Sequence, residues 1–252
     1  QSLVTINKSG EHLMDLINDI LDFSKIEAGK FSLVPKVFNL DELLDSLYLM
    51  FKVRADEKDL FLEVVKSQGL LQIIRADEAK IKQILINLMG NAIKFTDKGM
   101  VRLSARVEQD KSAEAGAMEL VIDVEDTGRG IPKSNLKKVF QSFERVEPSS
   151  IIEGTGLGLA ISQKYARLMN GDIRVQSKVD KGSIFQFRCP VEQGFEDQLE
   201  PETILREVVS LKDGQPRPKV LIADDRETNR LLLDKMLGPK GFKTRQAVNG
   251  EQ

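Results

Sequence analysis

The stretch from Lys82 to Thr96 constrains the fold most, because its apolar and polar residues follow two separate helical stripes. The apolar stripe has the spacing of one buried helical face, and its members are Ile81, Ile84, Leu85, Leu88, Met89 and Ala92. The polar stripe consists of Asn87, Asn91 and Lys94, at i, i+4 and i+7. Two amides and one ammonium therefore lie along one ridge of a predicted core helix. An amide oxygen can bind Mg²⁺ and a lysine can pair with a phosphate, although a solvated polar face has the same spacing.

A glycine-rich turn at residues 154–158, Gly-Thr-Gly-Leu-Gly, favours the binding interpretation. It precedes a helical pattern, so its backbone N–H groups and the helix dipole suit a phosphate. The alternative is a plain glycine turn. The turn is not a Walker A loop, because no Gly-Lys-Ser/Thr follows, and it is not a dinucleotide fingerprint, because Leu159 occupies the third glycine position.

A second glycine-rich turn at residues 126–130, Asp-Thr-Gly-Arg-Gly, directly follows an alternating strand pattern. A buried carboxylate at the end of that strand, Asp126, can accept a hydrogen bond from an exocyclic amine. The two glycines let a flat ring approach the backbone closely. The alternative is an Asp-capped turn without a ligand.

Composition limits the class of protein. The 252-residue chain is 41% apolar and 30% charged, with a net charge of −2, which gives no basic footprint for nucleic acid. The single cysteine, Cys189, excludes an internal disulfide and fits a reducing, cytoplasmic compartment. No apolar run reaches about 18 residues, so we expect no direct membrane contact in this chain. We also expect it to be a fragment of a longer protein, because it begins and ends inside apparent elements.

The first 28 residues read as one long helix with the 3-4 spacing of a coiled-coil or bundle seam. The seam positions are Leu3, Ile6, Gly10, Leu13, Ile17, Ile20 and Ser24. Such an apolar helix needs a partner helix. The only histidine, His12, lies on it and is interpreted as an ordinary surface or seam residue.

The elements that follow are read from periodicity, caps and turn residues. They are a strand at 31–38, a helix at 41–57 capped by Asn39 or Asp41, strands at 60–65 and 71–74, the central helix from its cap Asp77 to Phe95, strands at 101–107 and 118–125, a helix from Pro132 to Val139, a mobile loop at 141–153, a helix after 154–159 with Leu157, Ala160, Ile161, Tyr165 and Leu168 on one face, and strands at 173–177 and 183–189.

A polar, proline-bearing linker is predicted for residues 192–218. Beyond it, Val220–Ala223 reads as a buried strand that ends in Asp224-Asp225 and leads into a helix at 227–237 and a second strand at 242–248. This order is typical of doubly wound α/β domains, which bind ligands at the carboxyl ends of their strands. The carboxylate pair favours a divalent-metal site over a simple helix cap.

In this order, the motifs resemble those of hybrid sensor histidine kinases, which carry a receiver domain in the same chain. The resemblance covers nearly all of the sequence. The helix at 87–95 resembles the N box, 126–130 the G1 box, 140–143 the F box, 154–159 the G2 box and 182–185 the last glycine box. Residues 9–30 resemble the second helix of the dimerisation and phosphotransfer hairpin, and 219–250 resemble the start of a receiver.

The resemblance implies an α+β fold with four parts. Residues 1–30 would be the partial bundle helix, and residues 39–191 a Bergerat-type, histidine kinase- and gyrase-like α/β sandwich that binds ATP. A linker at 192–218 and a truncated, flavodoxin-like receiver piece at 219–252 would follow.

The resemblance also implies a site for ATP and Mg²⁺. Asn91 would bind Mg²⁺ with assistance from Asn87, Lys94 would meet the phosphates, and Asp126 would accept the adenine amine. The further implied nucleotide contacts are Phe95, Gly128, Gly130, Ile131, Phe143, Gly154, Thr155, Gly156, Leu157, Gly158, Leu159 and Ser183, with 141–153 as the lid. In the receiver piece, Asp224 and Asp225 would bind Mg²⁺.

The implied activity is that of a protein-histidine kinase, which transfers the γ-phosphoryl group to a histidine and then to a receiver aspartate. Both acceptors are expected outside this chain, since His12 lacks the neighbours of a phosphoacceptor. The implied partners are the protein's own phosphotransfer helix and receiver, a second copy in a homodimer, and a downstream phosphotransfer protein or response regulator. Glu153 and Asp180 depart from the family, because relatives often have glycine there.

Two alternatives to a kinase are an ATP-hydrolysing conformational switch of the same superfold and a non-catalytic ATP-binding scaffold. The gyrase- and chaperone-like ATPases carry a glutamate at the position of Asn87, as the base for a water molecule. An amide cannot take that proton, which argues against hydrolysis. The intact Asn91, Asp126 and glycine turns argue against a degenerate scaffold.

Overall fold

A computed structural model describes residues 32–109, 118–141, 156–199 and 217–249. It also describes six helical positions in the first 31 residues, namely Gly10, Met14, Ile17, Leu21, Ser24 and Ile26. The chain separates into two compact units, residues 1–200 and 201–252. The predictions for His12 and for most of the lid at 141–153 lie outside the described residues.

A mixed sheet of seven strands is the framework of the first unit, as far as its residues are described. The strands are β1 (Lys36–Asn39), β2 (Phe61–Lys66), β3 (Ile73–Ala76), β4 (Met100–Gln109), β5 (Met118–Asp126), β6 (Asp172–Lys178) and β7 (Gly182–Gln193). Their order is β1-β3-β7-β5-β4-β2, and β6 pairs with β7. Only β2 and β4 are parallel, and the other pairs are antiparallel.

Within the described ranges, three continuous helices pack beside the sheet, namely α1 (Leu40–Asp56), α2 (Glu78–Phe95) and α3 (Gly158–Leu168). The side chain of Asn39 caps α1 by accepting from the backbone N–H groups of Asp41 and Glu42. Asp77 caps α2 by accepting from the N–H of Lys80 at 3.1 Å. Both caps follow the local rule that a short polar side chain satisfies N–H groups in the first turn.

The core lies where α1, α2 and α3 pack on the inward side chains of the sheet. All six predicted apolar residues of α2 are at most 5% exposed, and Ile93 joins them. The inward residues of β5 are equally buried, namely Leu120, Ile122 and Val124. This arrangement is the expected α+β sandwich, in which a helical stripe and a strand face bury each other.

The opposite face of the sheet carries a network of ion pairs. Arg106 lies 2.7 Å from Glu108 and 2.5 Å from Asp123. Arg188 lies 2.8 Å from both Glu108 and Glu119. These half-exposed charges make that face polar, in contrast to the apolar face that packs against the helices.

The second unit is smaller. Two parallel strands, β8 (Lys219–Ala223) and β9 (Lys243–Ala247), flank α4 (Glu227–Leu237) in sequence. A parallel strand pair joined through a helix is the predicted start of a doubly wound domain. Both strands and the helix match the predicted ranges within one residue at each end.

Several element predictions need correction. Of the strand predicted for 31–38, the described residues 32–38 are strand only from Lys36 on, in β1 (Lys36–Asn39) at the edge of the sheet. The strand predicted for 71–74 lies at Ile73–Ala76. Strand β7 runs two residues beyond the predicted domain end at 191, because Gln193 pairs with Ile74. The helix predicted from Pro132 to Val139 is a single 3₁₀ turn at Lys133–Asn135. Leu168 is 37% exposed, so it does not belong to the buried face of α3.

Candidate functional site

The predicted polar ridge of α2 is present as three half-buried side chains, Asn87, Asn91 and Lys94. The Nδ2 of Asn91 donates to the Oδ1 of Asn87 at 3.2 Å. The Nδ2 of Asn87 donates in turn to the Oγ of Ser162 on α3, at 2.9 Å. Ser162 is only 3% exposed. A chain of two amides and one hydroxyl therefore links the ridge to the neighbouring helix.

The start of α3 lies directly against the ridge. A Cβ atom placed on Gly158 would come within 2.5 Å of the Oδ1 of Asn87, so only glycine lets the two helices approach this closely. Leu157, just before the helix, is 1% exposed and has no side-chain acceptor that could cap the first N–H groups. The backbone N–H groups of a first helical turn suit an anion. Gly156 has a positive φ of 71° and Leu159 is half-buried, whereas Gly154 and Thr155 lie outside the described residues.

Asp126 ends β5 with a carboxyl group that is 7% exposed. Its Oδ1 accepts from the backbone N–H of Gly128 at 2.8 Å, and Ser183 faces it across the β5–β7 pair. Burial raises the pKa of Asp126, and the hydrogen bonds from Gly128 and Ser183 offset part of that rise. A buried carboxylate with a raised pKa is stabilised by any further donor, such as an amine.

Phe95 is the last residue of α2, and its carbonyl group lies against the turn at 126–130. A Cβ atom on Gly128 would collide with the carbonyl oxygen of Phe95 and approach the Oδ1 of Asp126 to 2.9 Å. The guanidinium carbon of Arg129 lies 4.8 Å from the centroid of the Phe95 ring, and the Nζ of Lys94 lies 5.3 Å from it. Two cations therefore flank this aromatic ring at distances typical of cation–π contacts.

The β6–β7 hairpin fastens the same turn through Ser177. Its Oγ accepts from the N–H of Ile131 at 2.7 Å, donates to the carbonyl of Gly182 at 2.8 Å and lies 3.0 Å from the Oγ of Ser183. Ile131 and Ser183 are thus held by one hydroxyl. Gly130 has a positive φ of 69° and passes so close to the carbonyl of Lys178 that a Cβ atom would collide with it.

The position of Asp180 explains its departure from the family pattern. Asp180 has a φ of 59°, a left-handed conformation that favours glycine but is accessible to aspartate. Its backbone N–H donates to the carbonyl of Arg129 at 2.8 Å. The hairpin turn therefore keeps its shape and its contact with the turn at 126–130 without a glycine.

The two glycine turns lie at the two ends of the ridge. The turn at 126–130 contacts Phe95, whereas the turn that leads into α3 contacts Asn87. Phe95 lies eight positions after Asn87 on α2, a span of about 12 Å at 1.5 Å per residue. The arrangement offers an amine acceptor near one end of a polar ridge and backbone amides near the other.

Most of the predicted ATP-site residues that the structure describes are brought together by these contacts. Phe143, Gly154 and Thr155 lie outside the described residues, and Asp224 and Asp225 belong to the second unit. Sequence reasoning did not identify Ser162 and Ser177 as parts of the site. The available signal for Ser162 was a polar residue among the buried Ala160, Ile161 and Tyr165 of α3.

The donor set suits Mg²⁺. The Nδ2 of Asn91 donates to Asn87, so the amide oxygen of Asn91 is the atom that can bind a cation. No cluster of three or more His, Cys, Asp or Glu side chains occurs in the part of the chain that the structure describes. Mg²⁺ often binds through one or two protein oxygens together with phosphate groups and water, so a single amide ligand is compatible with it.

The carboxylate pair of the second unit lies at the carboxyl end of β8. Asp224 is half-buried and accepts from the N–H of Arg226 at 2.8 Å and from the Nδ2 of Asn229 at 3.2 Å. The hydrogen bond from Arg226 and then that from Asn229 lower the pKa of Asp224, which keeps it ionised. Asp225 is exposed. Asp224 thus shapes the turn before α4, and metal binding by the pair stays a prediction.

Comparison with known proteins gives a domain match and similar chains. The model of a family described as histidine kinase-, DNA gyrase B-, and HSP90-like ATPase matches residues 76–193. The autoinducer 2 sensor kinase/phosphatase LuxQ of Vibrio vulnificus is 38% identical over 228 residues, which cover 89% of this chain and 26% of LuxQ. Hybrid signal transduction histidine kinase K of Dictyostelium discoideum is 34% identical over 261 residues, which cover 98% of this chain and 21% of that protein.

The solved structures include one that aligns with almost the whole chain. Full-length ShkA, crystallised in complex with AMPPNP, matches with a TM-score of 0.66 and 28% identity over 99% of this chain and 48% of the ShkA chain. This chain spans about a quarter of the length of the two curated relatives, 26% and 21%. Separately, none of the helices that the structure describes is long and apolar enough to cross a membrane.

Proposed function

Residues 76–193 belong to the histidine kinase-, DNA gyrase B-, and HSP90-like ATPase family as a domain of the histidine kinase kind, and from this premise we propose that the chain is the catalytic part of a hybrid sensor histidine kinase. It binds Mg-ATP and transfers the γ-phosphoryl group to a histidine. The observation that carries the proposal is the placement of two glycine turns at the two ends of the amide ridge on α2.

The base end of the site is the turn at 126–130. Asp126 accepts a hydrogen bond from the exocyclic amine of adenine. This further donor stabilises the charged carboxylate, which burial disfavours. Gly128 and Gly130 let the turn pack against the backbone of Phe95 and Lys178. Ser183 and Ile131 border the base through the Ser177 network. Phe95, with Arg129 beside it, flanks the nucleotide.

The phosphate end of the site is the turn before α3 together with the ridge. The backbone N–H groups near Gly156, Leu157 and Gly158 bind phosphate oxygens at the helix start. The long side chain of Lys94 brings a positive charge from farther along the ridge, beside Phe95. The amide oxygen of Asn91 would hold Mg²⁺ with help from Asn87. When bound, Mg²⁺ neutralises charge on the transferring phosphoryl group.

Positioning is the main task of the protein in this reaction, because phosphoryl transfer through a loose transition state needs little covalent help. The acceptor imidazole must approach the γ-phosphorus in line with the leaving oxygen. The chain's own residues therefore bind and orient the nucleotide. The histidine arrives from the phosphotransfer helix, whose second half we assign to residues 1–30.

An ATP-hydrolysing switch is disfavoured by the contacts of Asn87. Its Nδ2 donates to Ser162 and its Oδ1 accepts from Asn91, so both ends of the amide are engaged in the chain of hydrogen bonds. A base for a catalytic water would have to be a carboxylate or imidazole at this place. The relatives named as histidine kinases agree with the kinase interpretation.

The proposal extends to partners. We assign residues 219–252 to a receiver whose Asp224 and Asp225 bind Mg²⁺, and residues 194–218, after the end of β7, to the linker. The exposed Met14, Ile17 and Leu21 of the first helix, 42–56% exposed in one chain, support burial in a homodimeric bundle. A receiver aspartate and a downstream phosphotransfer protein or response regulator complete the relay, in the cytoplasm.

A labelling experiment tests the function. We expect the full-length protein, incubated with γ-labelled ATP and Mg²⁺, to take up acid-labile label, as a phosphohistidine does, and to keep it after His12→Ala. Release of labelled free phosphate without protein label would support the ATPase alternative. Calorimetric binding of ATP with neither product would support the scaffold, and absence of binding would reject the site.

A further inference from the structure

An asparagine amide has a donor end and an acceptor end, and only the acceptor end can bind a cation. The orientation of the amides on α2 therefore decides whether the ridge offers an oxygen or an N–H group to Mg²⁺. In this structure, the Nδ2 of Asn91 points to Asn87 and the Nδ2 of Asn87 points to Ser162. The amide oxygen of Asn91 is the end left over.

Ser162 supplies the terminus of this chain of hydrogen bonds. Its hydroxyl lies on α3, 75 residues along the chain from Asn87, and is almost fully buried at 3% exposure. Without it, the Nδ2 of Asn87 would lose its acceptor on α3 and would turn elsewhere. A buried amide N–H that loses its partner carries the cost of desolvation, so the orientation would no longer be stable.

A serine hydroxyl can both donate and accept, so Ser162 alone would tolerate a flipped Asn87. Gly158 removes that freedom. Its Cα hydrogens face the Oδ1 of Asn87, which lies only 2.5 Å from where a Cβ atom would be. A Cα–H group favours an oxygen as its neighbour, whereas an amide N–H would meet no acceptor there. Together, Ser162 and Gly158 select one orientation of Asn87.

We propose that Ser162 is a positioning residue for the magnesium site and acts through Asn87 on the amide of Asn91. This inference rests on the proposed function, since it presupposes that Asn91 binds Mg²⁺ together with ATP. Ser162 itself touches neither metal nor nucleotide in this scheme. Its removal therefore weakens the metal-dependent part of nucleotide binding and leaves the metal-free part unchanged.

The test is a titration of AMPPNP affinity by calorimetry at several Mg²⁺ concentrations and in EDTA. For Ser162→Ala we expect the Mg²⁺ concentration of half-maximal effect to rise about fivefold, the value of one lost hydrogen bond. The affinity in EDTA should stay at the wild-type value. Ser162→Thr, which keeps a hydroxyl group, should keep the wild-type Mg²⁺ dependence.

A double-mutant cycle identifies the route. In an Asn87→Ala background, Ser162→Ala should have no further effect on the Mg²⁺ dependence, because the link between Ser162 and Asn91 is already missing. The matched control is Ser46→Ala, which removes a hydroxyl that donates to the carbonyl of Leu43 on α1 and is outside the chain of amides. It should leave the Mg²⁺ dependence unchanged.

The outcomes separate this inference from the proposed function. A wild-type protein that does not bind AMPPNP, or binds it without any effect of Mg²⁺, would reject the proposed function. If the wild type binds AMPPNP in an Mg²⁺-dependent way and Ser162→Ala shows the same Mg²⁺ dependence, only the role of Ser162 is overturned. An equal loss of affinity with Mg²⁺ and in EDTA would also overturn it, since that is the signature of a general packing defect.

Discussion

The ammonium group of Lys58 donates to the carbonyl oxygen of Lys94 at 3.0 Å, at the C-terminal end of α2. It also donates to the carbonyls of Ile93 at 2.9 Å and Thr96 at 3.3 Å. The hydroxyl of Thr96 donates a hydrogen bond to the carbonyl of Ala92 at 2.7 Å. The last turn of α2 thus has partners for its carbonyls and a positive charge at the negative end of its dipole. This cap fixes the segment that carries two proposed nucleotide contacts.

We predict that Lys58→Met lowers the free energy of unfolding by about 2 kcal/mol, because hydrogen bonds from a charged donor are stronger than neutral ones. Lys52→Met is the control. It removes an exposed ion pair with Asp56, which is 2.6 Å long and on the same stretch of chain, and should change stability much less than Lys58→Met does. Urea unfolding of both variants measures the difference. Equal effects would show that Lys58 is only a surface charge.

A pair of glycine substitutions tests the close approach at the base end of the site. Gly128→Ala places a methyl group against the carbonyl of Phe95, a backbone atom that cannot move aside cheaply. We expect it to destabilise the domain and to abolish nucleotide binding. Gly90→Ala, inside α2, meets only the Phe51 ring at 3.9 Å and should stabilise by about 0.5–1 kcal/mol through helix propensity.

Thermal unfolding and AMPPNP calorimetry of the two alanine variants check this prediction. A Gly128→Ala protein with wild-type melting temperature and affinity would contradict the steric argument. A destabilised Gly90→Ala protein would show that the space beside Phe51 is smaller than it measures in the structure.

The central helix and its caps could be predicted because local spacing contains the necessary information. The six apolar residues of α2 repeat at helical intervals, and Asp77 stands one residue before the first helical position. The same holds for Asn39 and α1. The two glycine turns were visible for the same reason, since backbone amides at a helix start depend on a few consecutive residues.

The helix predicted from Pro132 to Val139 shows where local rules fail. A proline at a first turn permits a helix but does not stabilise one. In this segment Lys133, Ser134, Lys137 and Lys138 are exposed and only Val139 is buried. Without an apolar stripe to pack against the sheet, a longer helix gains too little to form, and one 3₁₀ turn results.

The roles of Ser162 and Lys58 could not be read from the sequence for a different reason. Their partners lie 75 residues away for Ser162 and 35 to 38 residues away for Lys58. Each contact exists only once the helices have packed on the sheet. A serine on a helix and a lysine after one are otherwise unremarkable surface or capping residues.

The raised pKa of Asp126 predicts a pH dependence of stability. Between the ordinary carboxyl pKa of about 3.9 and the raised value in the folded protein, the folded state binds more protons than the unfolded state. Stability therefore falls as the pH rises through this window and levels off above it. Asp126→Asn should lack this component. Unfolding free energies of both proteins across that range check the sign. A wild-type free energy of unfolding that rises with pH relative to that of Asp126→Asn would contradict it.

The last prediction concerns recognition of adenine by Asp126. Asp126→Asn should weaken AMPPNP binding at least tenfold, about 1.4 kcal/mol, because the Oδ1 of the new amide can keep its bond from Gly128 while its N–H₂ group meets the adenine amine, donor against donor. The control for this prediction is Asp123, three residues earlier on the same strand. It points to the other face of β5, where it pairs with Arg106 at 2.5 Å and accepts from Gln186 at 2.7 Å. Asp123→Asn makes the same chemical change without facing the cleft, so it should leave the affinity unchanged even if it lowers stability. Calorimetry at a temperature well below the melting point of both variants separates the two effects. Equal losses of affinity would place the amine acceptor elsewhere, and no loss in Asp126→Asn would remove Asp126 from the site.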